Sequence, residues 1–140
     1  MPSFRTADTH DLGWVLETDP LGRSDPRRNG FLRRGVDEGR CELALDGATR
    51  LGFAIWHRQF FSRPFLALLV VAPGARRRGV GSALVEHIAA TVAAGDRFFV
   101  STNASNAAAQ RLFDRLGFRR CGTIEEIDPG DPEWIYARDA

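Results

Sequence analysis

Cysteine and long apolar runs are both scarce in this sequence. The 140 residues include two cysteines, Cys41 and Cys121, which are too far apart for a CxxC metal-binding pair. Each stands among apolar, strand-like residues, so we expect two buried, reduced thiols rather than a disulfide. The longest apolar run, Phe65 to Pro73, has the length of a strand and is too short to span a membrane. These scarcities argue against a disulfide, a cysteine-bound metal and a membrane partner.

A large charge of one sign is also missing. The formal net charge is +1 at pH 7, whereas proteins that bind nucleic acid through bulk charge are far more basic. The start of the chain, 1–5, turns polar at once and does not resemble a signal peptide, so we expect a cytoplasmic protein. Hydrophobic residues make up 44% and charged residues 26%, which is typical of a folded soluble protein. The length fits one compact domain covering residues 1–140.

Hydrophobic patterning predicts an α/β domain with a mixed sheet. The run Phe65–Val71 has no polar alternation, which predicts a central strand buried on both faces. The helix and strand that follow it require a right-handed crossover and therefore a parallel strand pair. Residues 21–30 are predicted as a loop, and so is a connection that runs through Phe60, Phe61, Ser62 and Pro64. Strands are predicted at 3–6, 41–45, 51–56, 65–71, 98–100, 118–124 and 134–137, and helices within 8–18, 31–38, 79–94 and 106–116.

A turn rich in arginine and glycine follows the central strand. Its sequence is Arg76-Arg77-Arg78-Gly79-Val80-Gly81-Ser82, at the start of a predicted helix. The first N–H groups of a helix lack internal partners and carry partial positive charge, which favours an anion. Glycine lets a phosphate approach the backbone, and arginine adds fork-shaped donors. The pattern is neither a Walker A loop nor GxGxxG. The residues alone therefore leave a phosphate ligand, a nucleic-acid patch and a solvated basic turn open.

Two segments together resemble the GCN5-related N-acetyltransferases (GNAT). Arg76-x-x-Gly79-x-Gly81 resembles the family motif Q/R-x-x-G-x-G/A, and Asn106-x-x-Ala109 with Leu112-Phe113 and Leu116-Gly117-Phe118 resembles its second cofactor-binding helix. The chain also resembles a bacterial subgroup of the family, through Ser101-Thr102-Asn103-x-Ser105-Asn106, Gln110 and the segment Asp128-x-x-Asp131-Pro132-Glu133. The resemblance covers essentially the whole chain. It implies a single-domain GNAT-like mixed sheet of about seven strands with a central parallel pair, flanked by about four helices.

The resemblance also implies a cosubstrate, acetyl-CoA, and no metal. It assigns pyrophosphate contact to Arg76, Arg77, Arg78, Gly79, Val80, Gly81 and Ser82. It assigns pantetheine contact to the main chain of Val70 and Val71 and to Asn103 or Asn106, with Ala109 and Phe113 on the second helix. Family members often pair through strand edges or helices, which suggests a homodimer.

The motifs do not supply the catalytic groups. An attacking amine must lose a proton to a base or a water chain, and the leaving thiolate gains from a nearby acid. The family often places a Tyr acid at the position of Phe113 and a Glu base near Ala67, and neither residue here can exchange a proton. Ser105 and Tyr136 remain candidate acids, although the ordinary explanations are a helix cap for Ser105 and a strand position with a surface hydroxyl for Tyr136.

The candidate bases are Glu133, Glu42 and His57. Glu133 closes an acidic segment with Glu125, Glu126, Asp128 and Asp131, which would attract a cationic amine and raise the pKa of a carboxyl group. Each candidate is also explained as an ordinary surface residue. Catalysis could also proceed without a side-chain base. The site would then position the reactants, and a main-chain N–H would polarise the thioester carbonyl.

Together these features favour acetyl transfer from acetyl-CoA to a primary amine by direct attack in a ternary complex. A coenzyme A-binding sensor or subunit with little catalysis is the alternative, because both usual catalytic residues are missing. A transferase acting on aminoacyl-tRNA is a third possibility, suggested by arginines crowded in the first loop and helix: Arg23, Arg27, Arg28, Arg33 and Arg34. The sequence leaves the acceptor and the acyl chain length open.

Overall fold

The computed structural model describes residues 2–140, which form seven strands and four α-helices. The strands form one sheet in the order β1-β2-β3-β4-β5-β7-β6, in which β4 and β5 are parallel. This confirms the predicted α/β class, the mixed sheet and its parallel pair. No helix within 2–140 is long and apolar enough to cross a membrane. The strands are β1 Ser3–Thr6, β2 Cys41–Asp46, β3 Thr49–Phe60, β4 Arg63–Val71, β5 Arg97–Asn103, β6 Arg119–Ile124 and β7 Glu133–Asp139; the helices are α1 Leu12–Thr18, α2 Pro26–Asp37, α3 Val80–Thr91 and α4 Ala107–Arg115.

The chain divides into two compact units, and the first comprises Met1–Trp56 and Leu68–Ile88. Its core is formed where α1 and α2 cover inward-facing side chains of β2 and β3. Apolar residues recur on one side of each helix and at alternate strand positions, as such packing requires. Burial of one large apolar side chain stabilises a fold by about 2 kcal/mol. The fully buried members include Val15, Leu32, Leu43, Phe53 and Ile55.

A buried carboxylate ties three segments of this unit together. Asp11, with its side chain 1% exposed, accepts hydrogen bonds from both terminal nitrogens of Arg5 at 2.7 and 2.9 Å and from Arg50 Nε at 2.9 Å. The main-chain N–H of Asp8 is a further donor, at 2.9 Å. These donors, the Arg5 guanidinium first, hold the pKa of Asp11 well below its usual range. The network fixes β1 and β3 to the short 3₁₀ turn that precedes α1.

The second unit comprises His57–Ala67 and Ala89–Ala140. Strand β7 pairs antiparallel with β5 on one side and with β6 on the other. Phe98 meets Phe118 edge to face, Phe113 packs tilted against Phe118, and Arg138 lies over the Phe118 ring at 5.2 Å. β6 is the edge strand, and its register shifts between Arg120 and Gly122.

Two predicted boundaries are wrong. Helix α2 begins at Pro26, so 26–30 are helical rather than loop. The cause is a local start signal, because the Asp25 side chain accepts the N–H groups of Arg27 and Arg28 and Pro26 occupies the first helical position. Between β3 and β4, the predicted long connection is a two-residue turn at Phe61–Ser62, where both residues have positive φ, 51° and 64°.

The prediction for the cysteines is half correct. Both thiols are free, and Cys41 is buried. Burial raises the pKa of Cys41 to about 12, so this thiol stays protonated and is a poor nucleophile. Cys121 is exposed rather than buried, because it lies at the register shift of an edge strand.

Candidate functional site

The arginine–glycine turn follows β4 and opens directly into α3. Arg76, Arg77 and Arg78 are all exposed. Arg77 and Gly79 have left-handed backbone conformations, with φ of 64° and 76°. The Ala83 N–H donates to the Gly79 carbonyl at 3.0 Å, which makes it the first bond of the helix. The N–H groups of 80–82 precede it and are left for an external acceptor. The turn therefore offers main-chain donors and guanidinium groups to an anion.

The turn is sterically open at Gly79. A Cβ built on this residue would meet no heavy atom within 4 Å. Arg78 lies 3.7 Å from Asp46, and both side chains are more than half exposed, so the pair is loose. Val80 is buried below the turn and Ser82 is half-buried.

Sequence reasoning missed Gly52, which supports the end of β4. A Cβ on Gly52 would lie 2.7 Å from the Val70 carbonyl oxygen and 3.3 Å from both Val71 Cα and Val80 Cγ1. The Ala72 N–H donates to the Leu51 carbonyl at 2.8 Å, which fixes the same stretch of backbone. Only glycine allows this approach of β3 to β4. A glycine inside a strand pattern was the signal that could have revealed it.

In the second unit, the predicted pantetheine contacts lie where β5 turns into α4. The Asn106 side chain caps α4 by accepting the Ala109 N–H at 3.1 Å, and its amide lies at the surface. Asn103 instead donates its amide hydrogens to Asp128 Oδ2 at 3.0 Å and to the Asp131 carbonyl at 3.1 Å. The Asn103 amide is therefore hydrogen-bonded to the loop before β7, whereas the side-chain NH2 of Asn106 faces solvent.

Ser105 is also hydrogen-bonded to that loop. Its hydroxyl donates to Asp131 Oδ2 at 2.6 Å and its N–H donates to Oδ1 at 3.0 Å. The cap of α4 is Asn106, so Ser105 is not the helix cap that the sequence allowed. Proton donation by Ser105 would require this exposed Ser105–Asp131 pair to open.

Tyr136 lies against the residue that replaces the family tyrosine. The Tyr136 and Phe113 ring centroids are 5.4 Å apart, and the two residues are 3% and 5% exposed. Burial, together with Asp114, raises the pKa of the Tyr136 phenol, so the phenol keeps its proton. Within residues 2–140, Trp56 Nε1 is the only buried side-chain nitrogen or oxygen without a hydrogen-bond partner. The Tyr136 hydroxyl makes no hydrogen bond to these residues. A fully buried hydroxyl without a partner would be a second atom of this kind, so the Tyr136 hydroxyl must reach solvent-accessible space.

Glu133 begins β7 and is half-buried. Its neighbours in the sheet are Asn103 on β5 and Ile124 on β6. Since successive strand side chains alternate, Glu133 and Tyr136 point to opposite faces of β7. The structure therefore does not place these two candidates on one side of the sheet. The half-buried Ala67, at the position of the usual Glu, offers no replacement base.

The other two candidate bases have partners of their own. Glu42 lies 2.9 Å from His87 Nε2 and accepts the Thr6 hydroxyl at 2.6 Å. His57 Nδ1 accepts the Gln59 N–H at 3.0 Å, and its ring tilts against Phe65. Neither arrangement leaves an open carboxylate or imidazole. Within residues 2–140, no cluster of three or more His, Cys, Asp or Glu is arranged to hold a metal ion.

All 19 basic side chains of the chain are arginines, and the sequence has no lysine. Several arginines of the first loop and helix are paired locally: Arg23 with Glu17 at 2.7 Å, Arg28 with both Asp19 oxygens at 2.9 Å, and Arg33 with Asn29 at 2.8 Å. The positive charge of this region is therefore partly neutralised within the unit.

The chain folds as an α/β domain with a mixed sheet, and the start of α3 carries main-chain donors that suit an anion. The chain belongs to the acetyltransferase (GNAT) family, whose model matches residues 6–118. A GNAT acetyltransferase structure from Bacillus cereus superposes with a TM-score of 0.88 and 32% identity, covering 99% of this chain and 97% of that one.

Two curated relatives extend the comparison. Phosphinothricin N-acetyltransferase of Streptomyces coelicolor is 42% identical over 124 residues, which is 81% of this chain and 71% of that protein. N-alpha-acetyltransferase 30 of Xenopus laevis is 31% identical over 86 residues, which is 57% of this chain. The aligned part makes up only 32% of that longer protein.

Proposed function

We propose that this protein transfers an acetyl group from acetyl-CoA to a primary amine, by direct attack in a ternary complex. The observation that carries the proposal is the turn before α3, where Gly79 is left-handed and sterically open and the N–H groups of 80–82 precede the first hydrogen bond of the helix. Family membership supports the choice of coenzyme A as the anion, and both relatives described above are N-acetyltransferases by name.

The residues around the turn would bind the cofactor. The N–H groups of 80–82 and the arginines Arg76, Arg77 and Arg78 suit its pyrophosphate. The main chain of Val70 and Val71, held by Gly52, is proposed to pair with the pantetheine arm. In the second unit, the family resemblance assigns the Asn106 amide as a further donor. When bound, acetyl-CoA supplies the acetyl thioester that the amine attacks.

Glu133 is the proposed base. It is half-buried, and its carboxylate makes no ion pair with the other residues of 2–140. Glu133 and Tyr136 lie on opposite faces of β7, so the carboxylate would take the proton of the incoming ammonium group through water that passes the end of the strand, and the neutral amine then attacks. The neighbouring acidic segment, with Glu125, Glu126 and Asp128 exposed, supports a cationic acceptor.

Tyr136 is the proposed acid, in preference to Ser105. Its ring lies against Phe113, its phenol keeps its proton, and its hydroxyl is not engaged by another residue of 2–140. The Ser105 hydroxyl already donates a hydrogen bond to Asp131. Tyr136 would donate to the sulfur of the leaving coenzyme A as the thioester bond breaks.

A thermal-shift titration with acetyl-CoA tests the cofactor site. A ligand that binds only the folded protein raises the melting temperature. We expect a rise in the wild type that Gly79→Glu abolishes and that Gly39→Glu retains. Gly39 is a matched control, because it lies in the same unit, is exposed, has a φ of 70° and has no atom near its missing Cβ. No rise in the wild type, or an equal rise in Gly79→Glu, would contradict the proposal.

A panel of amines with detection of released coenzyme A thiol then separates the proposed enzyme from its alternatives. Turnover of at least one amine supports the enzyme. Binding of acetyl-CoA without turnover of any amine would favour the sensor, which the replacement of the usual Tyr and Glu by Phe113 and Ala67 also favours. Acetylation of aminoacyl-tRNA would support the third candidate, and tRNA binding that ignores added salt would count against it.

A further inference from the structure

A pocket of about 220 Å³ lies beside the arginine–glycine turn, within the first unit. Its inner lining is apolar, because Leu51 and Val80 are buried and Pro2 is half-buried. Two exposed charged side chains, Asp46 and Arg78, complete the lining. The pocket therefore combines an apolar floor with one carboxylate and one guanidinium at its rim.

The pocket is shaped by segments that are already fixed in place. Asp46 ends β2 and pairs with Thr49 on β3. The Leu51 carbonyl accepts the Ala72 N–H at 2.8 Å, which ties β3 to the end of β4. Val80 is the first residue of α3. Because strand pairing and the helix hold the lining, the pocket is largely pre-formed, as ligand sites usually are.

The Asp46 carboxylate is available to a ligand. Its side chain is 71% exposed, and within residues 2–140 its one ion pair is with Arg78 at 3.7 Å. This distance is too long for a hydrogen bond, so neither carboxylate oxygen accepts one from the described residues. An ionised carboxylate acts only as an acceptor. The rim therefore favours a ligand that brings an N–H donor.

Arg78 adds a requirement on shape and charge. A guanidinium is planar and stacks on the faces of aromatic rings. Its positive charge disfavours a plain ammonium group in the pocket, and the Asp46 charge disfavours a free anion there. A neutral, planar ring with an exocyclic amine meets these conditions. Nucleobases with an amino group have this chemistry, and Asp or Glu is a usual acceptor for such an amine.

We propose that this pocket receives the adenine ring of the cofactor, with the exocyclic amine of adenine donating to the Asp46 carboxylate. The inference rests on the proposed function, since it takes acetyl-CoA as the ligand of the turn. In acetyl-CoA the adenosine lies on the far side of the pyrophosphate from the thioester. Arg78 and Val80 belong both to the turn and to the pocket lining, so a pyrophosphate at 80–82 brings the adenosine within reach of the pocket. Asp46 is then a specificity-determining residue for the base of the cofactor.

Calorimetric titration with two cofactors tests the contact. One is acetyl-CoA, and the other is its hypoxanthine analogue, in which a carbonyl oxygen replaces the exocyclic amine. At neutral pH the two carry the same charge, so the ratio of their dissociation constants isolates the contact at this edge of the ring. We expect the wild type to bind acetyl-CoA about tenfold more tightly, because the analogue loses the donor and turns an acceptor toward the carboxylate.

Asp46→Asn should reduce this preference to less than about twofold, because an amide can accept from adenine or donate to hypoxanthine. The variant keeps the hairpin, since Asn-Gly suits this turn as well as Asp-Gly does. Asp37→Asn is the matched control, because Asp37 is an exposed aspartate of the same unit on α2. It should keep the tenfold preference. Arg78→Gln should weaken the binding of both cofactors by a similar factor, because the phosphates are common to both.

The outcomes separate the pocket from the proposed function. Equal affinity of the wild type for the two cofactors, an undiminished preference in Asp46→Asn, or a preference lost in Asp37→Asn or Arg78→Gln would each overturn the adenine pocket while acetyl-CoA still binds. Failure of the wild type to bind either cofactor would instead overturn the proposed function, and this inference with it.

Discussion

Phe113 and Tyr136 lie ring against ring, with centroids 5.4 Å apart. The first occupies the position at which related enzymes often carry a tyrosine, and the second is the only tyrosine of the chain. The hydroxyl missing from α4 is thus present on the adjacent side chain of β7. This contact leads to the first prediction.

Tyr136→Phe is expected to lower kcat about a hundredfold if the phenol protonates the leaving thiolate. Packing against Phe113 is retained, so the melting temperature should change little. Introducing Phe113→Tyr into this variant should restore part of the rate. Ser105→Ala should change kcat by less than about threefold, because its proton is held by Asp131. The reverse ranking, with Ser105→Ala as the severe change, would assign the acid to Ser105.

The pH profile gives an independent check on the same residue. The raised pKa of Tyr136 keeps the phenol protonated beyond its ordinary value of about 10. An acid must be protonated to act, so its contribution to kcat should persist through neutral pH and fall only above about pH 10. Tyr136→Phe should remove this alkaline fall, and a wild-type rate that already falls near pH 8 would point to another acid.

Arg77→Asn should move stability and cofactor affinity in opposite directions. Arg77 has a φ of 64°, a conformation that Asn tolerates better, so we expect a gain of about 0.5 kcal/mol in the free energy of unfolding. Loss of the guanidinium should weaken acetyl-CoA binding about tenfold. Chemical denaturation and calorimetric titration measure the two effects. Arg27→Asn removes the same charge from α2 and should leave the affinity unchanged.

Gly52→Ala should damage the cofactor site without touching the cofactor. The new methyl group would lie 2.7 Å from the Val70 carbonyl oxygen, so β4 must shift, at a cost of about 2 kcal/mol in the free energy of unfolding. Acetyl-CoA affinity should fall with it. Gly122→Ala is the matched control, because the nearest atoms to its added Cβ are 3.9 Å away in Ile135. A Gly52→Ala protein with wild-type stability would contradict the close approach.

Asp11 should make the fold sensitive to acid. Its pKa is lowered in the folded protein, chiefly by Arg5, so its stabilising contribution is complete above the unfolded value of about 4. The contribution is lost as the pH falls from there through the lowered folded pKa. Asp11→Asn should cost about 3 kcal/mol at neutral pH, and the difference from the wild type should shrink below pH 4. Asp8→Asn, at an exposed carboxyl, should show a smaller loss.

The sequence predicted the order of elements because that order depends on local and pairwise patterns. The unbroken apolar run Phe65–Val71 identified the central strand, and Asp46-Gly47 identified the hairpin between β2 and β3. The start of α2 was predictable in principle, since Asp25 and Pro26 form a recognised start signal that the arginine-rich composition of 21–30 concealed. The turn at Phe61–Ser62 was not, because neither residue is a usual choice for positive φ.

The parts of the candidate site that escaped prediction depend on contacts between distant residues. Pairing of Ser105 and Asn103 with 128–131 joins segments about 25 residues apart, and no motif encodes it. The contact of Phe113 with Tyr136 depends on where α4 crosses β7. Gly52 carries a weak local signal, a glycine within a strand, but its neighbour Val70 is set by the sheet register. Motifs located the turn, whereas tertiary packing decided which candidates lie near one another.

The use of arginine for every basic side chain has a consequence for self-modification. Guanidinium groups stay protonated in proteins, so none of the 19 offers a lone pair to an acetyl thioester. Without lysine, the chain presents no side-chain amine that acetyl-CoA could acylate, enzymatically or by slow chemical reaction. An acetyl-lysine signal in a reaction mixture with a protein acceptor must therefore come from the acceptor. The protein can be kept with a large excess of acetyl-CoA without accumulating acetylated lysine.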